Sequence, residues 1–182
     1  MPQLILINGA PGSGKSTIAS TLAHETALTF ALDVDAIKHA LGRWEEDALQ
    51  SGLHARRLSV AIAREQLASG HDVIIGQYLA RTPFIEELES LAATCGAQFH
   101  EFVLDLDSVA LAERIAARTA SPDRPEHDVN NRLVSPGDSV ELAQSLEGLR
   151  QARPNAVWID ARGSAAATTT FIRARLDKNQ SQ

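Results

Sequence analysis

Hydrophobic positions along the chain follow two patterns. Short runs at 4–7, 29–32, 72–75, 100–104 and 156–159 are rich in Leu, Ile, Val and Phe, and Leu4-Ile5-Leu6-Ile7 is apolar throughout. Continuous apolar runs, rather than alternating ones, predict strands covered on both faces, as in a parallel sheet. Between them apolar residues recur every three or four positions, which predicts helices over 15–26, 35–41, 55–69, 83–94, 108–119, 139–151 and 165–176. Strands alternating with helices predict an α/β fold with crossover helices. A chain of 182 residues is long enough for one well-cored domain and short for two, so one domain spanning 1–182 is expected.

Two stretches interrupt the alternation. Residues 42–52 carry Arg43, Trp44, Glu45, Glu46 and Asp47, and residues 120–138 hold three prolines among Asp, Asn and Arg. Both predict excursions from the core, the first a substrate wall and the second a lid. The polar tail after Asp177 is expected to fray. Composition adds limits. A hydrophobic share of 44% and a charged share of 22% are those of a soluble globular protein. The first apolar run is broken at Asn8 and has no basic leader, so neither a signal peptide nor a membrane span is expected, and the location is expected to be cytoplasmic. The single cysteine, Cys95, excludes an internal disulfide; it falls in register with Phe84, Leu88, Leu91 and Ala92 and reads as a structural thiol. The net charge of −6 argues against a broad nucleic-acid surface, and monomer and dimer both stay open.

Chemistry enters with Gly9-Ala10-Pro11-Gly12-Ser13-Gly14-Lys15-Ser16-Thr17, between the first strand and the first helix. This matches the G-x-x-x-x-G-K-[ST] phosphate loop at every fixed position. Its glycines let successive N–H groups face one anion, Lys15 offsets charge on the β and γ phosphates, and the Ser16 hydroxyl is placed to ligate Mg²⁺. A nucleoside triphosphate is therefore the expected ligand, with Mg²⁺. No Asn-Lys-x-Asp guanine-reading motif follows, and strand 72–75 runs into Gly76-Gln77 rather than an acidic pair, which sets GTPases and motor ATPases aside.

Two further groups point to a reaction. Asp33 and Asp35 bracket Val34 where the second strand meets a helix, at the carboxyl edge where open α/β sheets bind ligands. Strand alternation makes the two carboxylates diverge, one toward Mg²⁺ with Ser16 and one toward an acceptor hydroxyl. Capping the helix would account for one of them, not both. Arg114 and Arg118 lie four apart on one helical face before the lid, with Arg124 and Arg132 following, and read as a clamp over a transferring phosphate; pairing with Glu113 or Asp123 is the plainer alternative. Arg81 follows the third strand, where it is placed to meet the acceptor together with Gln77, Arg43 and Trp44. Tyr78 and Phe84 are equally pocket wall or core.

These residues resemble the small P-loop kinases that phosphorylate metabolites or antibiotics, such as chloramphenicol phosphotransferase, gluconate kinase and shikimate kinase. The resemblance implies a three-layer α/β/α fold around a five-stranded parallel sheet of order 2-3-1-4-5 with a small lid. It implies transfer of the γ-phosphoryl of ATP to a hydroxyl of a small molecule. Carried onto this chain, Asp35 matches the acidic residue that orients or deprotonates the acceptor hydroxyl, and Asp33 one near Mg²⁺. Lys15 and Arg118 match groups that offset charge on the phosphates. Arg114 matches the position that packs against adenine, and Arg162 and Gly163 the adenine-contacting loop. The lid lacks the tight arginine repeat of nucleotide kinases, which argues against nucleoside monophosphates. A nucleic-acid 5′-hydroxyl kinase and a non-catalytic ATP-binding module are the remaining alternatives.

Overall fold

The computed structural model describes residues 1–120 and 134–180. Five strands are formed by β1 (Gln3–Gly9), β2 (Phe30–Leu32), β3 (Val73–Gln77), β4 (Gln98–Asp105) and β5 (Val157–Asp160). The helices are α1 (Lys15–Ala23), α2 (Val34–His39), α3 (Ala48–Ala68), α4 (Pro83–Thr94), α5 (Ser108–Ala120), α6 (Ser139–Ser145), α7 (Glu147–Ala152) and α8 (Ala165–Gln180), with a 3-10 turn at Pro136–Asp138. The strands lie in the order β2-β3-β1-β4-β5 and every pairing is parallel. Helices cover both faces, so the expected three-layer α/β/α sandwich and its strand order are what the chain forms.

Burial explains why β1 is central. All seven of its residues are buried. A strand flanked by two partners and two helical layers has no wet face, and each fully buried Leu or Ile there contributes on the order of 2 kcal/mol. The register pairs Asn8 with Gln77 on β3 and with Val103 on β4, so the carboxyl ends of three strands finish level beneath the segment Gly9–Thr17. That edge carries every candidate residue of the second strand, the phosphate loop and the turns after β3 and β5.

Local sequence moves several boundaries. Helix α3 begins at Ala48 rather than 55, because the Asp47 carboxylate accepts from the Gln50 N–H at 3.0 Å and starts the helix early. The expected excursion at 42–52 is thus corrected: residues 48–52 are helical. The helix expected over 139–151 is two, α6 and α7, parted at Leu146. There Leu146 N–H bonds Ala143 O and Leu149 N–H bonds Leu146 O, tight i to i+3 links, and Gly148 weakens continuation. Cys95 ends α4, partly buried against the core. Phe84 is 5% exposed under the Arg56 guanidinium, which makes it core, not pocket wall. Most of the expected lid, 121–133, lies outside the described residues.

Candidate active site

The loop between β1 and α1 is shaped by two left-handed glycines, Gly12 at φ +93° and Gly14 at φ +91°. Residues with a Cβ pay about 1–2 kcal/mol for that backbone. Ser13 N–H returns to Ala10 O at 3.0 Å, and the first α1 hydrogen bond runs from Ile18 N–H to Gly14 O. Helix α1 has no side-chain cap and no acid in its first turn. Its leading N–H groups therefore meet neither a side-chain cap nor an acid of the helix's own first turn, a condition for binding phosphate.

Lys15 reaches across this loop, its Nζ 3.5 Å from Ala10 O. Burial pushes its ammonium down to about 8; Asp35 pulls it back up, Arg118 lowers it further and Asp33 raises it. The charges of Asp35, Arg118 and Asp33 thus all act on Lys15. Arg118 is half-buried on α5, and that desolvation holds its own pKa below the ordinary value.

Asp33 and Asp35 differ in what their carboxylates hold. Asp33 is the α2 N-cap: its Oδ1 accepts from Asp35 N–H at 2.9 Å and Ala36 N–H at 3.1 Å. Capping is thereby accounted for by Asp33, and the Asp35 carboxylate stands in the first turn without that duty. Asp33 Oδ2 takes no part in the cap. Asp33 and Ser16, with Leu32 and Gly76, line a cavity of about 150 Å³. A Cβ at Gly76 would lie 3.1 Å from Lys15 O, so only glycine lets β3 approach the α1 terminus this closely. A hydroxyl and a carboxylate are the hard oxygen donors Mg²⁺ takes, and Mg²⁺ completes its shell with water and phosphate, so these residues fit the ion. No group of three or more His, Cys, Asp or Glu among the described residues forms a dedicated metal site.

Not every expected residue points inward. Arg114 reaches main-chain carbonyls: Nη1 donates to Ser13 O at 3.2 Å, and Nη2 to Ala161 O at 2.5 Å and Gly163 O at 3.0 Å. Arg162 folds back in a bidentate pair on Asp160, drawing that carboxyl down to about 2, because a partner two residues away is within easy reach of an exposed guanidinium. An adenine-contacting role for Arg162 is thus not what this arrangement presents. Arg43 is exposed at φ +57° and paired with Glu46 at 2.6 Å. Trp44 stacks on His39, ring centroids 4.6 Å apart, with Lys38 Nζ 4.9 Å from its ring, and so walls the end of α2 one turn beyond Asp35. Gln77 is 8% exposed, and its buried Oε1 accepts no hydrogen bond among the described residues. Arg81 is exposed ahead of α4. Arg124 and Arg132 lie outside the described residues.

The sequence reading passed over Asn8 as a mere break in an apolar run. It is fully buried, and its Nδ2 donates to Leu79 O at 2.8 Å while its Oδ1 accepts from Leu79 N–H at 2.9 Å and Gly9 N–H at 2.8 Å. A polar residue ending the apolar run Leu4–Ile7 was the available signal. Tyr78 was also underread: its hydroxyl lies 2.8 Å from Ser145 Oγ and joins the turn after β3 to α6.

Comparison with known proteins gives the family and the fold. The model of the AAA domain family matches residues 4–134. The chain belongs to that family. Among solved structures, this AAA-domain protein superposes on a gluconokinase from Sinorhizobium meliloti with a TM-score of 0.65 and 21% identity, covering 98% of this chain and 95% of that one. It superposes on the tunicamycin resistance protein of Deinococcus radiodurans with a TM-score of 0.62 and 22% identity, covering 97% and 96%. A chain of the Pnkp1/Rnl/Hen1 RNA repair complex gives a TM-score of 0.63 and 18% identity, covering 83% of this chain and 46% of that one. Its fold is that of the small P-loop kinases. Among curated proteins none matches the sequence. No helix of the described residues is long and apolar enough to cross a membrane.

Proposed function

We propose that the protein is a phosphotransferase that moves the γ-phosphoryl of ATP, with Mg²⁺, to a hydroxyl of a small molecule. The observation that carries the reading is the Asp35 carboxylate, relieved of capping by Asp33 and within electrostatic reach of Lys15 at the phosphate loop. ATP lies along Gly9–Thr17, its phosphates met by the α1 N–H groups and Lys15. Mg²⁺, held through Ser16 and Asp33 with water, supplies charge neutralisation on the phosphate oxygens. Asp35 accepts the hydroxyl proton as the acceptor oxygen bonds to γ-phosphorus and the bond from that phosphorus to the β–γ bridging oxygen breaks, releasing ADP. Lys15 and Arg118 offset the charge that gathers on the leaving oxygen, and their desolvation strengthens that effect. Gln77, Trp44 and Arg81 border the acceptor on the β3 side, and the acceptor is a hydroxylated metabolite, sugar or antibiotic.

Incubation with ATP, Mg²⁺ and a panel of sugars, aminoglycosides and nucleosides, followed by ADP release, tests the reading. Acceptor-dependent ADP release supports it. Tight ATP binding with no release for any acceptor favours a binding module, and release only with oligonucleotide 5′-hydroxyls, falling steeply with salt, favours the nucleic-acid alternative.

A further inference from the structure

Among the described residues, two half-buried cations make neither an ion pair nor a hydrogen bond: Lys38 on α2 and Arg56 on α3. Each rests on an aromatic ring instead, Lys38 Nζ 4.9 Å from the centroid of Trp44 and the Arg56 guanidinium 5.3 Å from that of Phe84. A ring face attracts the charge but leaves the guanidinium N–H groups without acceptors. Arg153, also half-buried, is by contrast held between Glu89 and Glu101.

Both cations stand around the β3 side of the site. Lys38 lies one turn beyond Asp35 on α2. Arg56 reaches Phe84 in the first turn of α4, just after the turn that follows β3. Helix α1 crosses from β1 out to β2, whereas α3 and α4 cross back, so right-handed connections put α3 and α4 on the face opposite α1. Gly76 faces α1, where its Cβ would meet Lys15 O, and alternation along β3 turns Gln77 toward α3 and α4. Its carboxamide is 8% exposed, with an Oε1 that accepts no hydrogen bond among the described residues. The end of β3 thus gathers a cation with unfilled donors and a buried amide with an unfilled acceptor. Arg81 adds exposed charge on the same turn, and Glu86, the acid of the first turn of α4, is exposed.

We propose that the phosphoryl acceptor is an oxyanion, a hydroxylated carboxylate or phosphate ester, and that Arg56 selects its charge. The inference rests on the reading of Asp35 as the group that meets the reacting hydroxyl, and gives the far end of the same molecule its partner. A carboxylate or phosphate offers two oxygens to the guanidinium fork, which a neutral sugar or a cationic aminoglycoside lacks. Gln77 Oε1 accepts from a second hydroxyl beside the anionic group, and Lys38 adds positive potential from α2.

Matched ligands test this: sugar acids and sugar phosphates, each against its uncharged parent sugar, with aminoglycosides as the cationic arm. ADP release is followed at saturating Mg-ATP, and calorimetric binding at saturating Mg-ADP, where the nucleotide keeps added anions off the phosphate loop. Wild type should favour at least one anionic member over its parent by at least about tenfold in kcat/KM or affinity, and the acid and phosphate arms separate the two sources of the oxyanion. Arg56→Met should bring that ratio within about threefold of one, with Arg56→Lys, which keeps the charge without the fork, in between. Binding of no member, or a wild-type preference for uncharged or cationic ones, overturns the inference. So does a ratio unchanged in Arg56→Met, or one lost equally in Arg56→Lys, which would make packing on Phe84 the cause. Anions bound through Arg56 with no ADP released would instead remove the phosphotransfer reading and leave the oxyanion site standing.

Discussion

On the donor side of the phosphate loop, contacts that shape the site run through main-chain atoms: left-handed Gly12 and Gly14, the Ser13–Ala10 bond, and the carbonyls gathered by Arg114. On the acceptor side they run through side chains on short or exposed elements: the six-residue α2, Trp44 against His39 and Lys38, the exposed Arg43–Glu46 pair, and Gln77, whose Oε1 accepts no hydrogen bond among the described residues. A triphosphate is the same in every complex, so a fixed backbone cradle suits it. Acceptors differ, and side chains are the part of a site that varies without disturbing the fold. On the proposed function, donor identity is built into the architecture, and acceptor identity is laid over it.

The contrast can be broken from either side. The largest effect is expected at Asp35: Asp35→Asn should cut acceptor-dependent turnover by about 10²–10⁴ and leave ATP affinity within about threefold, read by steady-state kinetics beside calorimetry. Unchanged turnover would remove Asp35 from the chemistry. Next is Asn8, which belongs to both sides. Asn8→Ala strands the buried Leu79 N–H and C=O and should cost roughly 2–4 kcal/mol in urea unfolding.

Proton linkage at Lys15 sharpens the donor side. Because burial lowers its folded pKa to about 8, the charged form is disfavoured in the free protein, and the unfolded chain holds more protons between there and the ordinary value. This group therefore adds stability as pH rises through that window. Phosphate favours the charged form, so ATP binding should take up a proton near pH 8.5 and weaken above pH 8 by up to about tenfold per unit; calorimetry in buffers of differing ionisation enthalpy measures both. Lys15→Met should abolish the proton uptake. The smallest effect is expected for Arg43→Ala, whose exposed pair with Glu46 should change thermal stability by less than about 0.5 kcal/mol.

Legibility followed the same division. The phosphate loop announced itself because left-handed backbone at fixed spacing admits few residues besides glycine, and buried parallel strands announced themselves as continuous apolar runs such as Leu4–Ile7. The Asp33-x-Asp35 pair was visible, yet which carboxylate caps α2 was decided only by the extended backbone at Asp33. Arg114 was visible as a cation on the right face; its destination was not, since any residue supplies a carbonyl and leaves no mark in the sequence. Arg162 shows the opposite case, a near neighbour in sequence capturing a side chain assigned to a more distant task. The start of α3 was hidden because Asp47 was read as part of an excursion rather than as a cap.

Asn8 has a meaning beyond the bonds it makes. At Gly9 the main chain of β1 turns away into the loop, and the ladder with β3 has no peptide left to continue. The Asn8 carboxamide offers one acceptor and one donor to Leu79, as a peptide group would, and so serves as a surrogate rung one step past the end of the sheet. The loop after β1 and the turn after β3 are thereby tied by two hydrogen bonds, of 2.8 and 2.9 Å, from one side-chain amide. On the proposed reading, donor and acceptor are held to a common gauge by that amide.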